Sequence, residues 1–191
     1  MNDETQQTAV SNPEVVETPA SSLRVWQVWA RDIFISLAVS AFIIVFLYQP
    51  VKVEGTSMMP GLTDQERIFI NKFVYKLEPI SRGDVIVFRY PLDPSKSYIK
   101  RVVAIAGDRV RIDDGTLFVN GRRVHETYVP SDYVDTRTYP ESVVPPSAFF
   151  VLGDHRNLSN DSRDFGPVPE QLIYGKAVFA YWPMDKMGTL H

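Results

Sequence analysis

From Ile33 to Tyr48 the chain reads IFISLAVSAFIIVFLY, 16 residues without a charged side chain. As an α-helix this run would rise about 24 Å at 1.5 Å per residue, short of the ~30 Å hydrocarbon core of a bilayer. Extending it backward through Trp29 and Val28 supplies the missing turns. Arg31 and Asp32 then lie at headgroup level, with Trp26, Trp29 and Tyr48 as interfacial aromatics. Only Ser36 and Ser40 interrupt the run, so it lacks the polar stripe of a helix packed on a soluble core. A cleavable signal would place small residues after the apolar region, whereas Ala38, Val39 and Ser40 stand in its middle. The run predicts an uncleaved anchor over residues 25–49, ended by Pro50. Arg24 and Arg31 precede it and Lys52 alone follows closely, which sets the N-terminus inside and the remainder on the extracytoplasmic face of the cell membrane.

The flanks of the anchor differ in kind. Residues 1–24 are rich in Thr, Gln, Ser, Pro and acid, with no hydrophobic period, and predict a disordered tail. Asp3, Glu4, Glu14 and Glu17 more than account for the net charge of −3, so the rest is close to neutral and offers no basic face for nucleic acid. There are no cysteines, which excludes disulfides, thiolate catalysis and Cys-ligated metals. His125, His155 and His191 are scattered and show no HExxH-like spacing, so no dedicated metal site is expected.

After Pro50 the pattern changes to short β-like runs: RIFINK, GDVIVFRY, SYIKRVVAIAGD, RVRI, TLFVNGRRV, FFVLGD and KAVFAYWP. Asp113–Gly115 and Asn120–Gly121 carry hairpin-turn chemistry. No βα period recurs, so residues 50–191 predict a mainly β, antiparallel barrel or sandwich-like domain. Tyr128 to Pro146, with four prolines, reads as a long loop or insertion.

Three stretches carry candidate chemistry. In SYIKRVVAIAGD, strand alternation puts Tyr98, Lys100, Val102 and Ala104 on one face and Ile99, Arg101 and Val103 on the other. Lys100 thus has mainly apolar neighbours, and an amine so placed loses solvation and becomes a weaker base that is neutral nearer physiological pH. Arg101 cannot serve as a base, because a guanidinium stays protonated. In KVEGTSMMPGL, Gly55 permits unusual backbone angles before Ser57, and Pro60 with Gly61 turns the chain after it. A serine hydroxyl needs a base to become a nucleophile. GDHRNLSNDSRDFGPVP alternates Asp154, Arg156, Asp161, Arg163 and Asp164. Arginines among carboxylates disfavour a calcium loop, and an internal salt-bridge network is the better reading. His155 could pair with a serine, though no orienting partner is visible in the sequence.

Taken in order behind one anchor, EGTSMMPGL, RGDVIVF, YIKRVVAIAGD and GDHRNLSNDSRDFGPVP resemble the four motifs of the type I signal peptidases, membrane-bound serine proteases. The resemblance implies that Ser57 is the acylating nucleophile and Lys100 the general base, with no cofactor. Ser159 matches the family serine that hydrogen-bonds the lysine, and Asp161 with Arg163 a pair that holds the site together. Val53, Met58, Leu62, Tyr98 and Ile99 match positions lining the substrate pockets. The implied substrates are secretory preproteins with small residues one and three positions before the cut, and the implied surroundings are a lipid bilayer. Two departures stand out: Gly55 occupies a position where some members carry an oxyanion-binding serine, and His155 replaces a usual asparagine. One anchor resembles the branch of Gram-positive bacteria, cyanobacteria and plastids. A non-catalytic β module and a self-cleaving repressor are the rival readings, the latter without the DNA-binding domain it needs.

Overall fold

Seven apolar runs after the N-terminal apolar segment need partners for their backbones, and they find them almost wholly in one another. The computed structural model describes residues 20–190. The tail expected over residues 1–24 falls outside them up to residue 19. Residues 20–24 already belong to a helix, α1 (Ala20–Leu47). The chain divides at Ala41 into two compact units. Within α1, Arg24–Ile43 is a 20-residue stretch long and apolar enough to cross a membrane, with no buried residue. Its Arg31 and Asp32 pair with each other at 2.9 Å.

The second unit is β-rich. Its strands are β1 (Tyr48–Lys52), β2 (Arg67–Asn71), β3 (Val85–Tyr90), β4 (Asp93–Ala104), β5 (Arg109–Asp113) and β6 (Thr116–Val119), then β7 (Arg122–Arg123), β8 (Tyr139–Val143), β9 (Ala148–Leu152), β10 (Val168–Pro169), β11 (Ile173–Trp182) and β12 (Gly188–Thr189). The larger sheet runs β1-β2-β11-β3-β4-β9-β10, with β12 on β11, and the smaller β7-β6-β5-β8. Every pairing is antiparallel. The sheets stack as in a sandwich and do not close into a barrel.

Burial explains the register. Along β3, Val85 and Val87 pack with Ile68, Ile70 and Val53 in one cluster, while Ile86 and Phe88 pack with Val102 and Val151 in another. Along β9, Phe149 and Val151 join that second cluster, whereas Ala148, Phe150 and Leu152 meet Val110, Ile112 and Leu117 of the smaller sheet. A one-residue slip would exchange both faces of a strand at once, so the alternation fixes the pairing. Asp114 and Gly115 turn β5 into β6, and Asn120 and Gly121 turn β6 into β7, all four with positive φ.

Three expectations are corrected. Pro50 does not end the helix: α1 stops at Leu47, and Pro50 lies in β1 opposite Phe69. β1 is an edge strand, where a missing N–H costs no ladder bond. Tyr128 to Pro146 is not all loop, because Tyr139–Val143 forms β8 on the edge of the smaller sheet. Its pairing with β5 shifts register where Pro140 and Glu141 lie, a bulge that accommodates the proline. Within β4 a shift between Val102 and Ala104 breaks the simple alternation, and Ala104 joins Val103 in the cluster against the smaller sheet.

One carboxylate joins parts of both sheets. Asp108, 6% exposed, accepts from Arg82 Nε and Nη2 at 2.8 and 2.5 Å, from the Ile105 N–H at 2.8 Å and from Asn120 Nδ2 at 2.8 Å. Asp108→Ala leaves these donors facing a poorly hydrated gap and should cost about 2 to 3 kcal/mol. Urea denaturation of the detergent-solubilised protein measures it, and a loss within 0.5 kcal/mol, roughly the level of an ordinary surface substitution, would show that the tie is unimportant.

Candidate active site

Ser57 reaches its position through a constrained turn. Gly55 has φ +98, in the left-handed region, and its N–H donates to Asp64 Oδ1 at 2.8 Å. That bond holds the Asp64 carboxyl below its ordinary range. Farther along, the Leu62 N–H closes on the Met58 carbonyl at 2.9 Å, and both side chains are fully buried with Ile68, Ile70, Ala177 and Ala180. Glu66, also buried, accepts from Thr63 at its N–H and hydroxyl. The turn is thus anchored from beneath by apolar packing and on its flank by two carboxylates.

Lys100 arrives from β4. Its Nζ lies 2.7 Å from Ser57 Oγ and donates to the Ile99 carbonyl at 2.9 Å. The residue is 4% exposed. Burial brings the amine down from its ordinary 10.5 to about 8, against the opposing pull of the Asp161 and Asp154 charges. Those carboxylates are themselves occupied. Asp154 takes Arg101 Nε and Nη2 at 2.9 and 2.8 Å, and Arg101 also donates to the Gly83 carbonyl and lies over the Tyr128 ring. Asp161, fully buried, takes Arg163 Nε and Nη2, both at 2.8 Å, and the Gly153 N–H at 3.1 Å. Burial works against its ionisation, yet the Arg163 bonds hold its carboxyl below the ordinary range. Asp161 also caps the short helix α2 (Ser162–Phe165).

The expected residues fall into groups. Ser57 and Lys100 meet. Asp161 and Arg163 meet behind them. Ser159 is buried near both, close enough to help stabilise the Asp161 carboxylate, but its hydroxyl makes no hydrogen bond of normal geometry and none to Lys100. Val53, Tyr98 and Ile99 line a cleft of about 680 Å³ together with Ser57 and Lys100. Met58 and Leu62 do not reach its wall and support it from the core instead. Val51, Ile68, Val87, Leu158 and Tyr174 add to the apolar lining. Of these, Ile68 and Val87 were visible as alternate positions of RIFINK and GDVIVF.

The alternating-sign loop is a network, and much of it comes from Glu126 and from the stretch read as a long loop or insertion. Arg156 is paired with Glu126 through both terminal nitrogens at 2.7 and 2.5 Å. Asp135 Oδ2 takes Arg163 Nη1 and Arg137 Nε, each at 2.7 Å. Arg137 Nη2 donates to the Arg156 and Ser159 carbonyls at 3.0 and 3.1 Å. Gly153 is required at its position because a Cβ there would lie 2.5 Å from the Ser57 carbonyl and 2.3 Å from Ser159 Oγ.

The depressed lysine makes a stability prediction. Between about pH 8 and 10.5 the unfolded chain holds a proton on Lys100 that the folded chain has released, so folding is favoured as pH rises through this window. Relative to Lys100→Met, the wild type should gain about 3 kcal/mol on going from pH 7 to 11. Parallel denaturation curves across this range would contradict it.

The family model described as signal peptidase, peptidase S26, matches residues 26–182. Signal peptidase I of Bacillus caldolyticus is 37% identical over 165 residues, covering 80% of this chain and 90% of its own. Signal peptidase IB of Staphylococcus aureus is 34% identical over 175 residues, covering 83% and 90%. A crystal structure of a signal peptidase I from Enterococcus faecalis is 30% identical, with a TM-score of 0.46, and covers 52% of this chain and 97% of that one. On the sequence matches, which extend across most of α1, the Ser57 turn, β4 and the charged loop, this chain belongs to the signal peptidase I family, peptidase S26.

Proposed function

We propose that this chain is a membrane-anchored endopeptidase that removes N-terminal signal peptides from exported preproteins, with Ser57 as nucleophile and Lys100 as general base. The observation that carries the reading is the 2.7 Å approach of the buried Lys100 amine to Ser57 Oγ at the cleft. A hydroxyl is a poor nucleophile without a base, and a base works best when its pKa lies near the operating pH. An amine lowered to about 8 meets that condition.

Neutral Lys100 takes the Ser57 proton as Oγ attacks the scissile carbonyl. The oxyanion is received by the Ser57 N–H, since Gly55 brings no hydroxyl. The Lys100 ammonium then protonates the leaving amine as the C–N bond breaks and the acyl-enzyme forms. Neutral again, Lys100 activates water, which attacks the ester, and the proton returns to Ser57. Asp161, Arg163 and Ser159 hold the loop behind the lysine, and the apolar walls at Val53, Tyr98 and Ile99 suit the small side chains of a signal-peptide cleavage site. Met58 and Leu62 act on that pocket from beneath its wall.

Residues 25–49 serve as the anchor in this reading. A 20-residue apolar stretch rises about 30 Å as a helix, the thickness of the hydrocarbon core. Residues 50–191 then form the catalytic domain on the extracytoplasmic face, where a lipid surface is the neighbour.

Ser57→Ala and Lys100→Ala should each lower cleavage of a peptide bearing an Ala-X-Ala signal site by about 10³-fold or more. For the wild type, kcat/KM should rise with pH through a pKa of about 8, because the base acts when neutral. Full activity in Lys100→Ala would sink the assignment. Gly153→Ala, which pushes on the Ser57 carbonyl, should cost about 10²-fold in kcat by displacing the nucleophile; an unchanged kcat would show that the turn does not depend on the loop.

A further inference from the structure

His155 sits in the charged loop, and none of the chemistry above uses it. It is 8% exposed, and its ring stacks on Tyr133 with centroids 3.9 Å apart and an interplanar angle of 28°. Two contacts tie it to the nucleophile's turn. Its main-chain N–H donates to the Ser57 carbonyl at 3.0 Å, and its ring Nδ1 lies 3.2 Å from the Thr56 carbonyl. A carbonyl oxygen only accepts, so this contact assigns the proton to Nδ1.

The two carbonyls belong to the peptide units on either side of the Ser57 Cα. The first of these units, Thr56–Ser57, contains the Ser57 N–H. It is trans, so its C=O and N–H point in opposite directions across one plane. Fixing the carbonyl against His155 therefore fixes where the N–H points. Among the described residues the Ser57 N–H has no protein acceptor, and Ser57 lines the cleft. Donation to a peptide carbonyl also polarises the unit and strengthens its N–H as a donor. The Thr56 carbonyl takes one other bond, from the Met59 N–H at 3.1 Å within the same turn. The His155 ring is the fastener that comes from outside it.

We infer that His155 is a positioning residue for oxyanion stabilisation: its Nδ1–H holds the Thr56–Ser57 peptide so that the Ser57 N–H faces the oxygen on which charge develops. The inference rests on the reading of Ser57 as nucleophile. It matters in this chain because Gly55 supplies no hydroxyl to share that charge, leaving more of the task to one N–H. An interaction that strengthens as the oxyanion forms alters kcat and leaves substrate binding alone.

The test compares His155→Phe with His155→Asn in the full-length, detergent-solubilised enzyme, using a fluorogenic peptide with an Ala-X-Ala signal site. Phenylalanine keeps a ring against Tyr133 but has no N–H. Asparagine loses the ring but carries an amide N–H two bonds from Cβ, where Nδ1 was. The expected result is a roughly tenfold fall in kcat for Phe with KM within about twofold, and recovery by Asn to within about threefold of wild type. An unchanged kcat in Phe, equal losses in both variants, or a loss carried by KM would each overturn the inference. Should the Phe variant not fold, His155→Ala against His155→Asn makes the same comparison. Ser57→Ala, run alongside, separates the two failures. If it still cleaves, the reading of the site is wrong; if it is inactive while Phe matches wild type, only the role of His155 is wrong.

Discussion

The site depends on keeping one amine dry without giving it a counter-charge. An ammonium loses solvation on burial, and a carboxylate within reach would restore the charged form. Asp154 and Asp161 both lie close enough to pull Lys100 upward, yet each is engaged by an arginine fork, Arg101 on the first and Arg163 on the second. Their negative charge is largely spent on guanidinium groups that cannot release a proton. Burial then wins, and the amine stays near pH 8. Loss of either arginine would do more than loosen a loop, because it would leave a carboxylate facing Lys100 and raise the pKa of its amine.

Such pairs are worth little unless they are complete, since an unmatched buried charge costs several kcal/mol. The chain completes them with residues distant in sequence. Glu126 meets Arg156, and Asp135 meets Arg163 and Arg137. The segment between β7 and β8 therefore acts as the outer wall of the charged loop. Its rigidity is passed inward through Gly153, which sits so close to the Ser57 carbonyl that no side chain fits. Positioning of this kind, made before substrate arrives, is where an enzyme gains much of its rate.

What could be read from the sequence follows the range of the interactions. All seven β-like runs form strands, because alternation and turn chemistry are local. The two hairpin turns at Asp114–Gly115 and Asn120–Gly121 are legible for the same reason. Lys100 beside apolar neighbours was legible too, although its approach to Ser57, 43 residues away, came only from the family resemblance. Pro50 and Pro140 misled because a proline is tolerated at a sheet edge, and which strands are edges is decided by the whole topology. Met58 was expected on the pocket wall, but the bond that closes its turn drives it into the core. Arg101 with Asp154 was missed because partners 53 residues apart leave no spacing to recognise.

The proposed serine–lysine pair would ask more of its surroundings than a triad does. In a serine–histidine–aspartate site the third residue orients the base and supports its charge, whereas here no single residue does so. Orientation comes from the Ile99 carbonyl and from β4 itself, paired on both sides by β3 and β9. Neutrality comes from burial, offset against the stability of the fold, and the apolar clusters flanking β3 and β9 supply that stability. His155 lies next to the Ser57 turn, but its Nδ1 meets the Thr56 carbonyl, and among the described residues no hydrogen bond joins its ring to the Ser57 hydroxyl. The same sheet that defines the fold thus sets the protonation state of Lys100, so substitutions that hydrate the core beneath β4 should be felt first in the pKa of its amine.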